Sequence, residues 1–98
     1  MIRLSLEAQA DLRSIAGQIK YDNGLAAATR VLDKIASSMG RLERFPRMGR
    51  AGRIPATREL GITGLPCIIV YQPRQNEIAV YRIIHGAMLW PPHEAGQP

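Results

Sequence analysis

Several residue types are scarce in this 98-residue chain, and each scarcity excludes a class of protein. The single cysteine excludes an internal disulfide, and together with two histidines it is too few for a plausible metal site. No apolar run approaches the roughly 20 residues that span a bilayer. The N-terminus turns polar at once, which excludes a signal-peptide core. We therefore expect a cytoplasmic globular domain that uses neither metal nor cofactor.

The first helical segment follows a short apolar stretch at residues 2–4 that predicts a strand. Ser5 is a suitable helix cap, and Glu7 lies in the first turn. One face of this helix is apolar, with Ala8, Leu12, Ile15, Ala16 and Ile19. We assign Asp11 to the opposite, polar face.

A second helix follows a break at residues 21–24, where Asp22 or Asn23 is suited to cap it. Its apolar residues recur in steps of three and four, at Leu25, Ala28, Leu32, Ile35, Met39 and Leu42. Such a narrow stripe is typical of a helix packed along a partner helix rather than of a cofactor site. We expect the two helices to form an antiparallel hairpin.

The apolar period changes to two in the second half of the chain. Pro46 ends the second helix, and residues 48–53 have neither period, which predicts a loop. Strands are predicted over residues 57–62, 67–72 and 77–85, with turns at 64–66 and 73–76. Cys67 in the middle strand is either a small buried core residue or a reactive thiol.

These elements define the expected architecture. Short connections between consecutive strands favour an antiparallel meander. The sequence therefore predicts an α+β domain of order β-α-α-β-β-β, with an N-terminal strand and a helical hairpin packed on one face of the sheet. Residues 1–90 are expected to form this single domain, and residues 91–98, which include three prolines, a frayed tail.

Arginine is concentrated between residues 41 and 59. Six arginines are opposed there by only two glutamates, so this segment carries +4 of the net charge of +5. Guanidinium groups stay protonated near neutral pH and bind phosphate or carboxylate oxygens in pairs. We expect Arg47, Arg50 and Arg53 in the loop to meet an anionic partner, either nucleic acid or acidic protein.

Three residues of the predicted strands are candidates for chemistry: Arg58, Arg82 and His85. An arginine in an apolar strand needs a carboxylate partner, for which Glu59 and Glu77 are nearest in type, or a functional anion. His85 is either a structural histidine or a proton-transfer group. Together the three suit metal-free RNA cleavage, in which arginines stabilise phosphate charge. Arg82 and His85 nevertheless point to opposite faces unless the strand bends.

Four stretches of sequence, in this order and spacing, resemble the ParE/RelE superfamily, the toxins of type II toxin–antitoxin modules that include plasmid-stabilisation proteins. They are YDNGLAAA at residues 21–28, FPRMGR at 45–50, TREL at 57–60 and RIIHGA at 82–87, followed by Trp90. The resemblance covers residues 1–90 and implies the same small α+β fold.

The resemblance favours the ParE-like branch, because the ending RIIHGA with Trp90 and the Asp22-Asn23 helix junction are similar to ParE. It implies a toxin that inhibits DNA gyrase and forms a hetero-oligomer with an acidic antitoxin that folds on binding. The residues implied in target or antitoxin binding are Arg47, Arg50, Arg53 and Trp90.

Two alternatives remain open. One is a RelE-like, ribosome-dependent mRNA endoribonuclease whose catalytic residues would be Arg58, Arg82 and His85. RelE-type sites resemble one another in using several lysines near the middle strands, whereas both lysines of this chain, Lys20 and Lys34, lie on the predicted helices. The other alternative is a degenerate toxin that only binds its antitoxin.

Overall fold

The computed structural model describes residues 1–86 and Trp90. Its elements are β1 (Ile2–Leu4), α1 (Leu6–Asn23), α2 (Leu25–Arg44), β2 (Arg50–Ala51), β3 (Arg58–Gly61), β4 (Cys67–Arg74) and β5 (Glu77–His85). The strands form one sheet in the order β1-β5-β4-β3-β2. Strands β3, β4 and β5 are an antiparallel meander, and β1 adds to β5 in parallel. The α+β prediction is confirmed, whereas the predicted tail at residues 91–98 lies outside the described residues.

Two local features differ from the sequence prediction of the sheet. The segment expected to be only a loop contains β2, a two-residue strand that pairs with β3. Strand β4 also continues through Pro73 to Arg74, so the turn to β5 is shorter than predicted. Proline is tolerated there because the pairing with β3 stops at Tyr71, which leaves that side of β4 without a strand neighbour.

A single glycine, Gly24, connects the two helices of the hairpin. Ser5 caps α1 as expected, since its hydroxyl accepts a hydrogen bond from the Ala8 amide at 2.9 Å. The prediction that Asp22 or Asn23 caps α2 is wrong, because both belong to α1 and Gly24 alone separates the helices. Gly24 has φ of 92°, a conformation that glycine adopts without steric strain.

The core lies between the hairpin and one face of the sheet. Its largest fully buried side chains are Tyr71, Ile35, Leu42, Ile69, Ile83, Val70 and Val80. Most of the predicted α2 seam is buried or half-buried, but Leu25 at its start is 65% exposed. Of the two alternatives for Cys67, the structure supports the buried core residue, and burial raises the pKa of its thiol. Neither described helix combines the length and the apolar character needed to cross a membrane.

Asp11 does not lie on the polar face of α1 as predicted but is 8% exposed against the edge of β5. Strand β1 pairs with β5 only as far as Val80, so the following backbone N–H groups need other acceptors. One Asp11 oxygen accepts from the Ile83 amide at 2.8 Å and from Arg82 Nε at 2.8 Å, and the other accepts from Arg82 Nη2 at 3.0 Å. Asp11 therefore closes the sheet edge and neutralises Arg82.

We predict that Asp11→Ala lowers the free energy of unfolding by about 3 kcal/mol, because it leaves a mostly buried guanidinium without its carboxylate. Urea denaturation at neutral pH measures the loss. The matched control is Asp22→Ala, an exposed aspartate of the same helix, which should change stability by no more than about 0.5 kcal/mol. Equal losses in both variants would contradict the prediction.

Candidate functional site

The segment between α2 and β3, residues 45–57, carries the arginines expected to meet an anionic partner, and we call it the basic loop. Tyr71 reaches it from the core: its hydroxyl donates to the Pro46 carbonyl at 2.7 Å and accepts from the Gly49 amide at 2.9 Å. A Cβ atom on Gly49 would lie 2.8 Å from that hydroxyl oxygen, so the close approach requires glycine. The base of the loop is thus fixed to the middle strand of the meander.

Arg58 holds the same part of the loop from β3. Its Nη1 atom donates to the Gly49 carbonyl at 2.6 Å and to the Arg47 carbonyl at 3.3 Å. Arg58 lies opposite Tyr71 in the β3–β4 pairing, so both side chains stand on the same face of the sheet. The contacts of Arg58 in this structure are those of a loop anchor.

Glu59, the next residue, is buried and binds Arg50 and Arg53 of the basic loop. Its side chain is 1% exposed and accepts hydrogen bonds from Arg50 Nη2 at 3.1 Å, Arg53 Nη2 at 2.9 Å and the Arg53 amide at 2.9 Å. The indole N–H of Trp90 donates to it at 3.1 Å. We call these four residues, Glu59, Arg50, Arg53 and Trp90, the Glu59 cluster.

The electrostatics of the cluster follow from these contacts. Burial by itself would raise the pKa of Glu59, because a desolvated carboxylate is disfavoured. The hydrogen bonds from the Arg53 side chain and amide, from Arg50 and from Trp90 outweigh burial and lower that pKa to about 2. Glu59 is therefore ionised throughout the physiological range.

Trp90 contacts three residues of the sheet and the basic loop: Glu59, Arg53 and Arg82. Besides the Glu59 contact, its carbonyl accepts from Arg53 Nη1 at 3.0 Å, and its ring lies 5.8 Å from the Arg82 guanidinium carbon. The Asp11 hydrogen bonds raise the pKa of Arg82 further, against the opposing effect of burial. Arg82 thus links Trp90 to the Asp11 pair at the sheet edge.

The loop arginines differ in what remains available to a partner. Within residues 1–86 and Trp90, the Arg47 side chain makes no hydrogen bond or ion pair, and it is exposed. The side chains of Arg50 and Arg53 are 67% and 46% exposed even though both donate to Glu59. The result is a rigid loop with one unengaged guanidinium and two that are partly neutralised but accessible.

The three candidates for RNA cleavage are not brought together. Arg82 pairs with Val70 and His85 with Cys67, with regular register between them, so Arg82 and His85 lie on opposite faces of the sheet. The bulge in this strand pair precedes Arg82, opposite the Val70–Tyr71 step, and does not reunite them. Arg58 shares a face with His85 but lies two strands away and four residues farther along, an offset of about 13 Å in the strand direction alone.

The sequence prediction does not include two residues on which the geometry depends: Tyr71 at the basic loop and Asp11 at the edge of β5. The apolar period predicts only that Tyr71 lies in a strand, although a buried tyrosine usually finds a partner for its hydroxyl. Asp11 follows Ala8 by three residues and precedes Ile15 by four, which places it on the buried face. That spacing was visible, but the charge of Asp11 suggested the opposite face.

Comparison with solved structures identifies the class of fold. A structure described as the chromosomal ParDE toxin–antitoxin system from P. aeruginosa superposes with a TM-score of 0.79, covering 86% of this chain and 92% of that one. The sequence identity is 22%, so this likeness speaks for the fold alone.

Sequence comparison narrows the class to a family. The model of the ParE toxin of the type II toxin–antitoxin system parDE matches residues 2–90. A protein of Sinorhizobium fredii (strain NBRC 101917 / NGR234), named "Putative toxin Y4kP", is 36% identical over 90 residues, 92% of each chain. The chain belongs to the ParE toxin family.

We predict that Glu59→Gln lowers the free energy of unfolding at pH 6 by about 3 kcal/mol at most, since a pKa of about 2 against 4.5 stabilises the folded state above pH 4.5. This contribution is lost as the pH falls from 4.5 towards 2. The difference from the parent protein should therefore shrink at pH 3. Urea denaturation at both pH values measures it, with the exposed Asp33→Asn as control. A difference that does not change with pH would contradict the assignment.

Proposed function

We propose that this protein is the toxin of a toxin–antitoxin module, inhibits DNA gyrase and is neutralised by a cognate antitoxin. The proposal rests on the structure of the basic loop. Hydrogen bonds to Tyr71, Arg58 and Glu59 hold this loop in place. The Arg47 side chain is exposed and has no partner among the described residues. A pre-ordered loop loses little conformational entropy when it binds, which favours recognition of a folded macromolecule. Membership of the ParE family supports the same function.

Inhibition by binding is favoured over RNA cleavage because of how the candidate residues are used. Arg58 donates to loop carbonyls and Arg82 to Asp11, so neither guanidinium is aimed at a shared site with His85. General acid–base catalysis needs its groups within hydrogen-bond reach of one substrate. The opposite faces of Arg82 and His85 do not provide that geometry.

The antitoxin is expected to be acidic and to fold on this protein. A domain with a pI of about 10.1 attracts an acidic, partly disordered chain over long range. Phe45, 57% exposed, and Met48, 38% exposed, lie in the basic loop beside Arg47 and offer an apolar contact. A segment that covers them and neutralises Arg47 would block the surface proposed to bind gyrase.

We predict that Arg47→Ala raises the toxin concentration needed for half-inhibition of gyrase supercoiling by about tenfold, the effect of losing one good interfacial contact. The variant should fold normally, because that side chain contacts no described residue through a hydrogen bond or ion pair. The control is Arg13→Ala, which removes an exposed arginine from α1 and should leave inhibition unchanged.

Parallel incubation with translating ribosomes and mRNA separates the alternatives. Fragmented mRNA beside unaffected supercoiling would overturn the gyrase proposal, and loss of that cleavage in His85→Ala would assign it to the endoribonuclease alternative. If the folded protein binds its antitoxin but affects neither reaction, it is a degenerate toxin.

A further inference from the structure

A second positive surface lies on α2, on the side turned away from the hairpin seam. Arg30, Lys34, Arg41 and Arg44 recur in steps of four, seven and three, with Ser37 between them, so all five residues share one face of the helix. All five are exposed. We call them the α2 stripe, and nothing in the proposed function of the basic loop uses it.

The α2 stripe keeps its charge because little within the fold neutralises it. Its four cations form no ion pair with any residue in the described part of the chain, and Arg44 only lies over the Phe45 ring, 5.9 Å from its centroid. Of the two carboxylates on α2, Glu43 pairs with the N-terminal amine and Asp33 lies beside the stripe, which leaves a local charge of +3 from four cations and one anion. This differs from the basic loop, where Glu59 binds two of the arginines.

A concavity of about 300 Å³ adjoins the middle of the stripe, between α2 and the turn that follows β3. Lys34, Ser37 and Arg41 line it from the helix and Thr63 from the turn, and the Asp33 carboxylate lines it as well. Ammonium, guanidinium and hydroxyl groups are the donors that bind phosphate oxygens. The concavity therefore places phosphate-binding groups on both sides of a shallow groove.

From this surface we propose that the α2 stripe binds the phosphate backbone of double-stranded DNA, without sequence preference. From Arg30 to Arg44 a rigid helix spans about 21 Å, a length along which a duplex presents about 12 phosphates. A row of four cations, with one serine hydroxyl in its widest gap, suits such a repeating anion.

An acidic protein partner is a poorer match for the same surface. Protein interfaces have an apolar core with large anchoring side chains, whereas interfaces with DNA are polar and strongly positive. The exposed large apolar residues of the described chain are Met1, Leu6, Tyr21, Leu25, Phe45 and Met48, and none belongs to the stripe.

The test compares two variants of the full chain that each remove two positive charges seven residues apart on an exposed helix face. Lys34→Gln with Arg41→Gln changes the stripe, and Arg13→Gln with Lys20→Gln changes α1. Binding to a fluorescent 20-base-pair duplex of mixed sequence is measured by anisotropy between 50 and 200 mM salt. Thermal unfolding verifies that both variants are folded.

We expect the stripe variant to bind about tenfold more weakly at low salt and the slope of log K against log salt to shrink by about 1.8, from two lost phosphate contacts. The α1 variant should keep the parent slope. Asp33→Asn should bind about twofold more tightly, a gain that unfolding does not produce. An unchanged slope in the stripe variant, or an equal loss in the α1 variant, would overturn the proposal.

A poly-glutamate peptide serves as the second probe. If the stripe variant loses affinity for this peptide while its DNA binding is unchanged, the surface belongs to an acidic protein and the proposal is wrong. Because both variants leave the basic loop intact, failure here does not bear on gyrase inhibition, which the supercoiling assay tests separately.

Discussion

The hydrogen bonds accepted by the buried carboxylate of Glu59 are the interactions on which the structure of the basic loop depends. Glu59 lies on β3, inside the fold, yet its hydrogen-bond donors come from the basic loop and from Trp90, which follows β5. A buried anion must have such partners, because an unpaired one costs several kcal/mol. The need to satisfy one carboxylate therefore fixes the basic loop and the Trp90 side chain to β3.

This requirement explains why a positively charged loop is rigid. Like charges repel, and a segment with three arginines in seven residues, from Arg47 to Arg53, would spread apart if all three faced solvent. Glu59 draws Arg50 and Arg53 to one side, and the contacts from Tyr71 and Arg58 fix the other. Arg47 is left projecting between the two fixed points. The arginines thus divide into those that build the surface and those that present charge.

The sequence predicted the fold well because apolar periodicity reports burial directly. Both helices, the meander and the N-terminal strand lie where the spacing placed them, apart from ends such as that of β4. The errors concern polar residues whose role depends on distant partners: Asp11 meets Arg82, 71 residues away, and Glu59 meets Trp90, 31 residues away. The sequence prediction places Asp11 on the polar face of α1 and names Glu59 and Glu77 as the carboxylates nearest in type to Arg82, whereas the partner in the fold is Asp11. The arginine loop was visible in the sequence, but its division between anchors and exposed groups needed the fold.

The lengths of the outermost strands have a consequence for how other proteins can recognise this one. The sheet is bordered by β1, with three residues, and β2, with two. Addition of a partner's strand to a sheet requires a run of unpaired backbone N–H and C=O groups on an edge strand. Edge strands as short as β1 and β2 supply few such groups. Self-templated fibril growth is disfavoured for the same reason. At β1 and β2, recognition through side chains is therefore expected to outweigh strand addition, and substitution at single positions would then let related modules avoid each other's inhibitors.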